Sequence, residues 1–169
     1  MSAFDFGTGP ERAGSDSIKW RRYAGRDVIP MWVADMDFAA PPPVLEALQA
    51  RVAHGVFGYA DPWPSLVESV QAGIARDHGW HIEPDWLVWL PGVVTGFNVA
   101  VRAVGQPGDG VFTATPVYPP FLHAPANFGQ RLVTAPLVHD GRRWGWDWPA
   151  TEAALADGVR LFMLCNPHN

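Results

Sequence analysis

Between Trp86 and Asn169 short apolar runs alternate with stretches of helical spacing, and this alternation constrains the fold more than any other feature of the chain. Strand, helix and strand in succession pack as a parallel sheet whose connections cross over its faces. The pattern predicts a strand at 86–90, broken by Pro91-Gly92, then a buried helix at 93–104 with Phe97, Ala100, Val101 and Val104 toward the sheet. After a turn at 105–109 it predicts a strand at 111–114, a short helix around 121–127 and a strand at 131–135. Asp140-Gly141-Arg142 marks a hairpin-like turn into the aromatic stretch 144–148, and a helix at 149–156 and a strand at 159–165 follow. That last strand runs into the polar residues Asn166, His168 and Asn169, and open α/β sheets place ligands at the carboxyl ends of their strands. The sequence is therefore expected to be cut off where its sheet presents a site, leaving strand 159–165 as an exposed edge and the 169 residues alone poorly soluble.

The first third of the chain reads differently. Residues 1–30, rich in Gly, Arg and Asp, lack periodicity and suggest an extended arm. An apolar stretch at 29–38 ends in three prolines, 41–43. Proline loses no hydrogen bond in the first turn of a helix, so Pro43 can open one that carries Val44, Leu45, Leu48 and Val52 on one face and stops at Gly55. A glycine-punctuated loop at 55–62 precedes a second helix, 65–78, with Leu66, Val70 and Ile74 on one side.

Charge and composition exclude several functions. The net charge is -5 and the basic residues cluster no further than the pairs Arg21-Arg22 and Arg142-Arg143, which argues against a nucleic-acid partner. The lone cysteine, Cys165, cannot form an internal disulfide, and it reads as a small buried residue at a strand end. Met1–Asp5 shows neither the basic flank nor the apolar core of a secretory leader, and no run approaches the ~20 residues of a membrane span. A soluble, cytoplasmic protein is expected.

Several residues could carry chemistry. Gly92-Val93-Val94-Thr95-Gly96 stands between a strand and a helix, where free backbone N–H groups and the helix dipole hold an anion without a cation. A glycine-eased strand-to-helix turn fits the same residues equally well. Neither a P-loop nor a G-x-G-x-x-G fingerprint is present, so nucleotide readings lose their usual support. Asp35-Met36-Asp37 could ligate a divalent metal beside a sugar nucleotide, although a structural turn suits it better, and His78 and His81 lack a third ligand nearby; no metal is expected. Tyr118, held between Pro116 and Pro119, could stack on a planar ligand, and the Tyr59 hydroxyl could donate to an anion.

Five segments in one order carry a resemblance: Lys19-Trp20, Met31–Phe38, His54–Tyr59, Thr115–Phe121 and Cys165–Asn169. Together they resemble the pyridoxal-phosphate (PLP) C–S β-lyases of the MalY/PatB type, within the class I/II aminotransferase fold. Members of that family are more than twice this length. The resemblance thus implies an α/β, aminotransferase-like fold, incomplete here: an N-terminal arm and small-domain segment at 1–54, then the first half of the PLP-binding large domain at 55–169, a mostly parallel sheet with crossover helices. It also implies site roles. Gly92, Val93 and Val94 would hold the cofactor phosphate, Tyr118 would stack on the pyridine ring, and Asn169 would hydrogen-bond its phenolic oxygen. Tyr59 would reach the phosphate of the other subunit of a homodimer, while Ala34 and Asp35 would lie on the substrate side. The implied reaction is β-elimination on a small amino-acid substrate, L-cystathionine or a related cysteine S-conjugate, giving thiol, pyruvate and ammonia. The lysine that carries the cofactor in the family lies well downstream. Lys19, the only lysine here, matches a different one, so the chain as given should be inactive. An aminotransferase is the nearest rival, and a non-catalytic dimerising protein is the rival of another class.

Overall fold

The computed structural model describes residue 7 and residues 9–169; the Met1–Asp5 segment read for a leader lies outside them. The chain forms two compact units, Met1–Trp63 and Pro64–Asn169.

In the first unit, the arm is a series of turns around one helical turn, α1 (Ile18–Arg21), rather than the extended segment its lack of periodicity suggests. Local hydrogen bonds explain the difference. Ser15 N–H reaches the Arg12 carbonyl at 3.2 Å, and Arg26 N–H the Tyr23 carbonyl at 3.0 Å. Helix α2 (Pro42–His54) begins where the prolines permit and stops at Gly55, whose φ of 77° only glycine adopts without strain. It buries none of its residues, and Val44, Leu45, Leu48 and Val52 are all exposed.

The second unit opens with α3 (Pro64–His78), one residue longer at its start than the apolar spacing suggests. Here the strand expected at 86–90 does not form. Pro84–Trp86 is a 3-10 turn closed by Leu87 N–H on the Pro84 carbonyl, and Trp86, Val88, Trp89 and Leu90 are exposed. A strand exists only through the neighbour with which it exchanges main-chain bonds. This segment has no such neighbour among the described residues.

Helix α4 (Val93–Val104) and strand β1 (Gly110–Thr115) follow as expected. The helix expected at 121–127 is split by Pro125 into α5 (Pro119–His123) and a 3-10 turn, Ala126–Phe128. Strand β2 (Arg131–His139) runs four residues beyond its predicted end, because the Asp140 turn folds β3 (Trp144–Trp146) back onto it. Asp140 Oδ1 accepts from the N–H groups of both Arg142 and Arg143 and so fixes that turn. Helix α6 (Trp148–Leu155) is capped by Asp147, which accepts from Ala150 N–H at 3.0 Å. Strand β4 (Val159–Phe162) is three residues shorter than predicted.

The sheet order is β3-β2-β1-β4, with β1 parallel to both β2 and β4 and only β3 antiparallel. β1 is therefore central, and Gly110–Ala114 are buried. Because side chains alternate along a strand, β1 feeds two cores. Val111 joins Val101 of α4, Phe121, Ala124 and Met163 on one face; Phe112 joins Val133 and Ala135 on the other, with Ala150 and Ala154 of α6 against them. Helices thus cover both faces of a mostly parallel sheet, and β4 forms an edge, as expected. Among the described residues no helix is long and apolar enough to cross a membrane.

Candidate functional site

The carboxyl edge of the sheet in the second unit gathers five of the residues singled out from sequence. Helix α4 leads into β1 through the tight 106–109 turn, where Gln106 N–H reaches the Asp109 carboxylate at 2.8 Å. The helix therefore runs back against β1 and aims its own N-terminus at the edge where β1 ends. Gly92 caps it with a φ of 151°, a conformation L side chains rarely adopt, and no side chain caps the helix. The first recorded bond of the helix is Gly96 N–H to the Gly92 carbonyl at 3.1 Å, so the amides of Val93, Val94 and Thr95 precede the first helical acceptor. Among the described residues no atom lies within 4 Å of where a Gly92 Cβ would stand. Open approach, unspent N–H groups and the positive helix end are the features by which a helix N-terminus can receive an anion.

Tyr118 is at the same edge, just past β1, where it caps α5 and remains 41% exposed. Its ring meets Phe121 edge-on, with centroids 6.5 Å apart, and Phe121 meets Phe97 of α4 at 4.9 Å. That series of rings connects the first half of α4 to the Tyr118 loop. Asn169 follows β4, the parallel neighbour of β1, so parallel pairing delivers its loop to this edge as well. His168 secures the arrangement by donating from Nε2 to the Pro116 carbonyl at 2.6 Å.

Ala34, Asp35 and Tyr59 belong to the first unit, and all three are exposed. Asp35 and Asp37, two residues apart, both direct a carboxylate oxygen at one cation. That cation is Arg12, with Nη2 at 2.6 Å from Asp35 Oδ2 and Nη1 at 2.6 Å from Asp37 Oδ1. Lys19 Nζ lies 2.8 Å from Asp37 Oδ2 and also donates to the Asp35 carbonyl, while Trp20 Nε1–H reaches Asp37 Oδ1 at 2.8 Å. The Lys19 ammonium above all, with Trp20 and Arg12, pulls the Asp37 carboxyl down to about 2, and Asp35 in turn raises Arg12. Two carboxylates that sequence reading weighed as metal ligands are therefore engaged by fixed cations. Among the described residues no group of three potential ligands converges.

Sequence reading missed Arg12, the burial of Lys19 and the His168 bond. The i, i+2 carboxylates were a usable signal for the first two. For His168 there was none, since its acceptor is 52 residues away.

No protein-family model matches the chain. Over 164 residues it is 41% identical to the cystathionine β-lyase PatB of Bacillus subtilis, an alignment covering 94% of this chain and 42% of PatB. Among solved structures, OvoB superposes with a TM-score of 0.88 at 44% identity, covering 98% of this chain and 44% of OvoB. Cystalysin from Treponema denticola, which contains a pyridoxal 5'-phosphate cofactor, superposes at 0.88 with 32% identity over 99% of this chain and 44% of cystalysin. The chain thus spans about two fifths of the length of the relatives it matches. Identity and fold agree along nearly all of its residues: over that span the chain is homologous to part of the proteins named PatB, MalY and cystathionine β-lyase, and it has the aminotransferase-type fold of those solved structures.

Proposed function

We propose that these 169 residues are the phosphate-cradle half of a PLP-dependent β-lyase that works in the cytoplasm as a homodimer. The observation that carries this reading is the convergence of the α4 amides, Tyr118 and Asn169 on one sheet edge. The donor set fits the group: uncapped N–H groups for a phosphate, an exposed aromatic ring for a flat heterocycle, and a carboxamide for a ring oxygen. When bound, PLP supplies an electron sink for the pair left on the α-carbon of an amino acid once its proton has been removed.

The chain's own residues bind and orient. Val93 and Val94 N–H donate to the phosphate, and Gly92 keeps the approach clear because it has no Cβ. The Tyr118 ring would stack on the heterocycle, and the Asn169 carboxamide would donate a hydrogen bond to its phenolic oxygen. Ala34 and Asp35 line the substrate side, with Arg12 holding the Asp35 carboxylate in place. Tyr59, whose hydroxyl is free in solvent, donates to the phosphate of the partner subunit. Lys19 does not carry the cofactor, because its ammonium is buried against Asp37. The lysine that carries the cofactor, its proton transfer and the grip on the substrate carboxylate would come from the part of the relatives' length that these residues do not span.

The substrate class is L-cystathionine or another cysteine S-conjugate, whose β-carbon bears a thiolate leaving group. The full-length protein, loaded with PLP and given L-cystathionine without any 2-oxo acid, is expected to release pyruvate and free thiol in equal amounts. Turnover that requires a 2-oxo acid acceptor would make it an aminotransferase instead. Absence of cofactor binding would leave the dimerising, non-catalytic reading.

A further inference from the structure

The geometry points to His168 as a positioning residue that sets the distance between Tyr118 and Asn169, and this inference rests on the cofactor site proposed above. Main-chain pairing between β1 and β4 stops early. The register ends at Phe112 with Phe162, and the last bond between the two is Met163 N–H to the Phe112 carbonyl at 2.9 Å. On its other side β1 stays paired with β2 out to Thr115 with Pro136. The loop at 164–169 therefore leaves the sheet while β1 continues within it, and the ladder does not dictate where Asn169 comes to rest. The bond recorded between the two loops is His168 Nε2–H to the Pro116 carbonyl at 2.6 Å. It lies one residue from Asn169 and two from Tyr118, so little slack separates it from either functional side chain. A proline carbonyl can only accept, which fixes the ring nitrogen facing it as the donor. Cys165 Sγ, directed to the Pro167 carbonyl at 3.6 Å, stiffens the 164–169 loop internally but does not cross to the other loop.

In this role His168 touches neither cofactor nor substrate. It holds the carboxamide that faces the ring oxygen in register with the ring that stacks on the same heterocycle.

The test uses the full-length holoenzyme with three variants. His168→Phe keeps a ring and removes the donor; His168→Gln places an amide N–H near the Nε2 position; His168→Asn has the same chemistry but is too short to reach. The readouts are PLP affinity, by titration of the apoenzyme, and the pH midpoint of the bound cofactor's visible absorption, which reports the Asn169 contact and is insensitive to general loss of stability. The expected result is a roughly two- to tenfold weaker affinity for the Phe and Asn variants, as loss of one hydrogen bond implies. A displaced midpoint should accompany it in both, and the Gln variant should stay within about twofold of the parent. Should the Phe variant fail to fold, the Gln and Asn pair still decides, because the two differ only in reach. Equal affinity and midpoint for Gln and Asn would overturn the inference. Failure of the parent protein to bind PLP at all would instead overturn the underlying site, a result that the parent titration alone reveals.

Discussion

Helices α2 and α4 are of nearly equal length, 13 and 12 residues, and both repeat apolar residues at three- and four-residue intervals: Val44, Leu45, Leu48 and Val52 in α2, Phe97, Ala100, Val101 and Val104 in α4. In α2 none of those side chains is buried; in α4 Val101 is completely enclosed and packs with Val111, Phe121, Ala124 and Met163. The difference is one of supply. α4 lies in the same unit as the sheet face it covers, whereas the described residues of the first unit form no sheet against which α2 could lay its stripe. The first unit is tied instead by charge: Arg12 and Lys19 bridge Asp35 and Asp37, which hydrophobic periodicity does not announce. An apolar stripe states what a helix needs, and the second unit meets that need within these residues.

The largest contrast is expected from truncating one apolar side chain in each unit. Phe112→Ala empties the centre of the second unit and should cost roughly 3–5 kcal/mol. Leu48→Ala on the exposed face of α2 should fall within about 0.5 kcal/mol of the parent. Urea unfolding of both variants measures this, and an equal cost would show that α2 is covered after all.

Next in size is Gly92→Ala. The added methyl group meets no atom of the described residues, so its cost is the backbone strain of a φ of 151°, about 1–3 kcal/mol. The same denaturation measurement checks it, and a neutral result would mean the α4 N-terminus relaxes without difficulty.

Acid titration separates the units by mechanism. Asp37 is held below its ordinary range, so its contribution is fully present above the normal carboxylate pKa and is lost as pH falls through about 2. The Trp20 indole N–H resonance, reporting the bond to Asp37, should shift over that window while the Val111 and Phe112 amides keep their protection from exchange. A Trp20 shift complete already at pH 4 would contradict the ion-pair assignment.

The smallest effect belongs to Thr151, whose buried hydroxyl finds no hydrogen-bond partner among the described residues. Thr151→Val should be neutral or stabilising by up to about 1 kcal/mol in a thermal melt. A loss above that range would reveal a partner for the hydroxyl.

The sequence made the helices and the central strand legible because local spacing and proline or glycine stops are local facts. α4 begins after Gly92 and α2 ends at Gly55, both as read. Segment 86–90 misled because apolar character allows a strand without providing its neighbour. β2 exceeded its predicted length because the Asp140 turn recruits three more residues into pairing with β3. At the candidate site, Gly92 and Tyr118 stood out through conformation and rigidity, while His168 did not, since parallel pairing joins it to a carbonyl half a domain earlier. Ladders and loop-to-loop bonds are products of topology, and topology comes from packing.

The engagement of Lys19 has a practical consequence. Its ammonium is the only side-chain amine in these residues, and it is nearly enclosed and ion-paired. Acylating reagents and amine-directed crosslinkers would therefore find no ready side-chain target along the folded stretch. Labelling of Lys19 becomes a direct gauge of how often the arm opens.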